Sequence, residues 1–294
     1  MEQNLLTKKQ LKEKSIEYQI PFADLLEAFL QETLMFQVLE TDFAKNLWLK
    51  NRDCFCPDAY REEWQKPLHF VYGQENGAAL PSLDEKLISD FAEEICRKRD
   101  NHIRWNYALE KEESDYLVYI TGEWEEMKVP LTIRISPFVY DMVKPEKQQL
   151  QSVFYEKKTA SYLHFPVETY LAEQIFSIIN YLELIPSMEA YDTVFHLLKQ
   201  EPVDGRHIYE TIVFLCKKEE TAPQTERIEM LASYEDYTYM KKRWEKYARK
   251  QGRENVSWET VLRQILSFVN PIWDAVCRDE IFFGDWMPDL SRYL

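Results

Sequence analysis

Apolar residues recur at three- and four-residue spacing over Phe22 to Leu39, where Leu25, Leu26, Phe29, Leu30, Leu34 and Val38 form one stripe. That period predicts an amphipathic helix. Lys8 to Tyr18 reads as another helix, and Pro21, tolerated in a first helical turn, separates the two. The short apolar run Leu47 to Leu49 is followed by polar residues, which suits a buried strand opening into a site, and Leu68 to Tyr72 is a second strand. Gly73 to Ala79 reads as a loop. Ser82 is placed to cap a helix running to about Arg99, with Glu85 at the capping-box position.

Three extended segments follow, Ile103 to Leu109, Tyr116 to Thr121 and Met127 to Ile135. In the last, Val129, Leu131, Ile133 and Ile135 alternate with Lys128, Pro130, Thr132 and Arg134, the period of a half-buried strand with Arg134 on its polar face. Pro137 and Pro145 bracket a connection. Beyond Pro166 the pattern turns helical: Val167 to Leu184, Ser187 to Lys199, Gly205 to Cys216, one long helix over roughly Gln224 to Gln251, and Trp258 to Cys277. Strands first and helices last predict an α+β fold, with a sheet lobe over 1–165 and a helical lobe over 166–294.

Composition narrows the function. The 294 residues are 45% hydrophobic and 14% aromatic, enough for a sizeable core, while only 6 glycines argue against glycine-built phosphate cradles. A net charge of −15 disfavours a general nucleic-acid surface, because such affinity comes from neutralising phosphates. One local exception is the basic stretch Lys241, Lys242, Arg243, Lys246, Arg249, Lys250 and Arg253, with Trp244 and Tyr247 among the cations. It reads as a solvated helix face with two aromatics packed inward, or as a contact for RNA or an acidic partner through Lys241, Lys242, Arg249 and Lys250. No apolar h-region opens the chain and no apolar run reaches the ~18 residues of a membrane helix. Five scattered cysteines fit reduced thiols, so the expected location is the cytoplasm. Cys54 and Cys56, one residue apart without a second Cys/His pair nearby, do not make a zinc site.

Several stretches, in order, resemble the AbiEii/AbiGii family of bacterial toxins, which have a nucleotidyltransferase fold. IPFADLLEAFLQETLMFQVLETDFAKNLWLKNRD resembles the family's opening helix and the strand ending in Leu-Lys-Gly-Gly. MKVPLTIRIS resembles the strand carrying a late metal-binding carboxylate, VETYLAEQIFSII the helix with an Ala-Glu-Lys core, and MEAYDTVFHLL the Arg-Asp-Phe-Tyr-Asp helix. RWEKYARKQGRENVSWETVL fits the closing Trp-x-x-Tyr helix. The resemblance implies a mixed sheet flanked by helices, a triphosphate held by a glycine turn and a helix lysine, and a divalent metal held by three carboxylates.

The chain departs from that pattern where the chemistry sits. Asn51 and Arg52 replace the glycines after a retained Leu49-Lys50. Pro67 and His69 align with two carboxylates, Arg134 with the third, and Gln174 with the helix lysine. Met188 and Glu189 stand for Arg-Asp, while Tyr191 and Asp192 are retained. The expectation is therefore a catalytically degenerate member without a cofactor, acting as an interaction or ligand-binding module alongside an antitoxin-like protein or complex subunit. Lys50, Asn51, Arg52, Arg134 and Gln174 are its candidate ligand residues, with Asp53, Glu173 or Glu189 as ion-pair partners for the cations. The alternatives are an active RNA-modifying nucleotidyltransferase using a nucleoside triphosphate and magnesium, with carboxylates drawn from Asp53, Asp58 or Asp192, and a structural subunit of a larger assembly. Asp192 also reads as a structural hydrogen-bond acceptor, and His69 as a satisfied core histidine.

Overall fold

A computed structural model describes residues 6–52, 66–74, 81–97, 102–140, 143–253 and 255–294. The chain forms two compact units, Met1–Phe165 and Pro166–Leu294.

The first unit is a seven-stranded mixed sheet with helices on one face. Its elements are α1 (Lys8–Glu17), α2 (Phe22–Leu39), β1 (Leu47–Leu49), β2 (Leu68–Tyr72), α3 (Glu85–Arg97), β3 (Ile103–Glu112), β4 (Asp115–Trp124), β5 (Met127–Pro137), β6 (Glu146–Gln151) and β7 (Thr159–His164). The strands lie in the order β3-β4-β5-β2-β1-β7-β6. β2 runs parallel to β5 and β1 parallel to β7; the other neighbours are antiparallel. Alternation along the strands sends Leu47, Leu49, Phe70, Val118, Ile133 and Ile135 into the core shared with the buried face of α2.

Local chemistry sets the boundaries. Thr7 opens α1 with the reciprocal capping box to Gln10. α3 starts later than expected: Asp84, not Ser82, supplies the cap, its Oδ1 accepting from Leu87 N–H at 2.8 Å. α2 is buried nearly all round, and Glu32 lies in the core. Its carboxylate accepts from Ser152 Oγ–H and, at 2.8 Å, from Val153 N–H, which satisfies the loop between β6 and β7. Burial pushes the Glu32 carboxyl up, opposed by those hydrogen bonds. The β3–β4 hairpin packs the Trp105 indole over Gly122, where a Cβ would come within 2.7 Å of the ring. The connection expected between Pro137 and Pro145 runs from β5 to β6, and the stretch from there to Pro166, for which no element was expected, forms β6 and β7. β6 reads EKQQLQ, an edge strand burying one residue, Leu150, so no apolar alternation announces it.

The second unit contains α4 (Val167–Tyr181), α5 (Glu189–Gln200), β8 (Val203–Asp204), α6 (Gly205–Lys218), α7 (Thr225–Ser233), α8 (Thr238–Lys250), α9 (Trp258–Arg278), β9 (Asp285–Met287) and β10 (Arg292–Tyr293). α4 packs against α5 and α6, and α9 against α5, α6 and α7. The expected single helix over 224–251 is two helices, broken by a turn in which Tyr237 N–H donates to Tyr234 O at 3.1 Å. No glycine or proline marks that break. The lobe is also not purely helical: β8, β9 and β10 make a small antiparallel sheet. Trp286 anchors it, donating from Nε1 to Leu198 O at 2.8 Å.

Candidate functional site

At the C-terminal end of β1 the chain is spliced onto β2 by a side chain. Lys50 N–H donates to His69 O at 2.7 Å. Asn51 then continues the pairing through its amide: Oδ1 accepts from His69 N–H at 2.6 Å and Nδ2 donates to Pro67 O at 3.0 Å. The Asn51 carbonyl lies 3.0 Å from His164 Nε2. Arg52 Nη2 donates to Phe165 O at 3.3 Å, and Lys50 Nζ sits 5.2 Å from the Phe165 ring centroid. Asn51 and Arg52 thus support the backbone at the position where the resemblance places a glycine turn.

His69 on β2 and Arg134 on β5 are direct neighbours in the parallel register. Both point to the face opposite the helices, because Leu68, Phe70, Ile133 and Ile135 take the helix side. His69 Nε2 is 2.8 Å from Ser136 Oγ. Burial, followed by the charge of Lys50, drives the His69 imidazole down to about 3; Arg134 lowers it further and Asp115 opposes. Arg134 Nε donates to Asp115 Oδ2 at 2.6 Å, and its Nη2 lies 3.1 Å from Glu112 Oε2.

Those carboxylates are partners that the sequence reading did not name for Arg134. Among the described residues Arg134 takes Asp115 and Glu112, because Asp115 lies two residues along β4 from Leu117, the register partner of Arg134, and the β3–β4 hairpin sets Glu112 opposite Asp115. The signal was strand length. Strands ended at Leu109 and begun at Tyr116 leave both acids in a loop, whereas the ladder runs on to the two-residue turn at Glu113 and Ser114, with Glu113 in the left-handed region.

This donor set does not fit a magnesium ion. Pro67 has no side-chain ligand, His69 is a neutral imidazole bound to Ser136, and Arg134 is a fixed cation. Among the described residues no group of three or more His, Cys, Asp and Glu side chains could hold a metal. Asp53 and Asp58, like Cys54 and Cys56, lie outside the described residues.

Gln174 on α4 and Asp192 on α5 belong to the second unit. Asp192 is buried and accepts from Tyr247 Oη–H at 3.0 Å and from Arg253; His196 Nε2 lies 3.2 Å from its Oδ1. Burial alone would raise its carboxyl, but His196 and Arg253 outweigh that and hold it low. Asp192 is a hydrogen-bonded lock between α5 and the end of α8, while Tyr191 beside it packs against Trp258 at a centroid distance of 5.0 Å.

The basic stretch divides by function. Arg243 donates to Glu183 O at 2.9 Å and Ile185 O at 2.5 Å, Arg253 holds Asp192, and Lys241 pairs with Glu259 at 2.6 Å. Trp244 is buried and donates to Val256 O at 2.8 Å. Lys242, Lys246 and Lys250 are exposed. Between α8 and the start of α9 lies a cavity of about 280 Å³, lined by Lys241, Trp244, Glu245, Arg249, Trp258 and Glu259 among others.

No family model matches the chain, and no curated protein matches it. Two solved structures from Helicobacter pylori align along most of its length at 10% identity. One is JHP933, covering 86% of this chain and 94% of its own, with a TM-score of 0.42. The other, provisionally described as a nucleotidyltransferase, covers 87% and 98% with a TM-score of 0.43. Similarity at this level assigns no activity and no site. No helix among the described residues is long and apolar enough to cross a membrane.

Proposed function

We propose that this chain is a nucleotidyltransferase-fold protein of the AbiEii-like kind that has lost metal-dependent nucleotidyl transfer and serves as a ligand- or protein-binding module in a bacterial defence system. The observation supporting the reading is the adjacency of His69 and Arg134. The resemblance puts metal carboxylates at these two positions, and here they are a neutral imidazole and a cation already neutralised by Asp115 and Glu112. A divalent ion brought to that face would meet a guanidinium and an imidazole fixed to Ser136, with no hard anionic oxygen contributed by either strand position.

Calorimetric titration of the full chain with each nucleoside triphosphate, with and without magnesium, tests this. The expected result is no tightening by the metal. A clear gain in affinity with magnesium would overturn the reading and restore the active alternative, with Asp53 and Asp58 as the carboxylates to replace first.

A further inference from the structure

The two edges of the seven-stranded sheet differ. β6 is six residues long and polar. β3 runs ten residues without proline, and its register with β4 is one-to-one from Ile103↔Trp124 to Glu112↔Asp115, so no bulge turns it away. α3 covers the face of β3, where Ser89 Oγ and Tyr107 Oη lie 3.2 Å apart, but among the described residues no segment pairs with its outer side. An edge of this length without a bulge or proline can template another strand.

The sequence of β3 is complementary to itself. Placed antiparallel to a second copy about an axis at Ala108, Arg104 faces Glu112 and Asn106 faces Glu110 on the open face of the sheet. On the helix side Tyr107 faces Leu109, and both are half-buried side chains at the margin of the core. Trp105 faces Lys111, and the small Ala108 meets itself where two identical side chains must share space. A slip of one residue would set Arg104 against Lys111 and turn the apolar positions outward. Within one chain Arg104 contacts Glu123 at 3.3 Å with its side chain still 75% exposed, and Glu112 contacts Arg134 at 3.1 Å, so both have room for a second partner.

We propose that β3 is a homodimer interface, joining two sheets into one through antiparallel β3–β3 pairing centred on Ala108. The symmetry makes each cross-strand pair occur twice.

Sedimentation of the full chain over a concentration series, with charge reversal, tests it. Arg104→Glu and Glu112→Arg should each raise the dimer dissociation constant roughly tenfold, because two attractive pairs become repulsive. Combining them should restore it. In one chain the two positions are about 27 Å apart along the strand, so rescue cannot arise within a monomer. As a second readout, Ala108→Cys should form a reducible dimer under mild oxidation, whereas the parent chain and Asn106→Cys should not, since only position 108 faces itself. A chain that stays monomeric, or a dimer whose reversed pair is not rescued, overturns the proposal. Pairing of this edge with another protein would give the first of these results.

Discussion

At the scale of single residues, His69 makes acid stability measurable. Its imidazole ordinarily titrates near 6.5 and in the folded chain is held down to about 3, first by burial and then by Lys50. A depressed histidine means that the unfolded chain takes up the proton first, so folding stability is fully present above pH 6.5 and falls as pH drops toward about 3. We predict that His69→Gln, measured by urea unfolding across that window, flattens the pH dependence. An unchanged slope would mean the imidazole is not held neutral. Asp192 works in the same direction at lower pH, because its depressed carboxyl loses its contribution as acid protonates it. Neither behaviour was legible in the sequence. A histidine in an apolar run and an aspartate on a helix were recognisable as structural candidates, but their partners Ser136, Arg253 and Tyr247 lie 67, 61 and 55 residues away.

At the scale of elements, the basic helix α8 separates cations that hold the fold from cations that face water. Arg243 satisfies carbonyls at the end of the segment following α4, so Arg243→Gln should cost about 1–3 kcal/mol, as charge-assisted hydrogen bonds are removed. Lys242→Gln and Lys250→Gln should each stay within about 0.5 kcal/mol, because exposed charges contribute little. Denaturant midpoints of the three variants decide it, and equal effects would refute the division. While α1, which buries only Leu11, was set off by the break at Pro21, strands β1 to β5 and the helices α2, α3, α4, α5, α6 and α9 were readable because each carries an apolar run or period. The unread elements lack one. β6 and β7 are polar or half-exposed, β8 and β10 are two residues long, and the α7–α8 break carries no glycine or proline. Short strands of that kind exist through their neighbours rather than their own pattern.

At the scale of the whole molecule, a charge of −15 opposes approach to any polyanion. The expected outcome of an RNA titration is weak binding that Lys242→Gln and Lys250→Gln barely alter. Tight binding, falling steeply with salt and lost in the double variant, would reinstate an RNA-directed role, since each phosphate contact releases counterions. The partner the reading favours is then a protein, and its first use of the chain would be detectable by co-purification rather than by nucleic-acid retention.

The place of β1 has a consequence for how the chain is made. This three-residue strand sits between β2 and β7, with Trp48 beside Leu163, and Glu32 on α2 waits for Ser152 and Val153. An emerging chain therefore reaches α2 and β1 early and cannot satisfy either until more than a hundred further residues have left the ribosome. During that interval the apolar side of α2 has only part of its sheet, and β1 has one open flank. Translation that stalls before residue 152 would release a fragment with both exposed, a natural substrate for chaperones and a ready seed for aggregation.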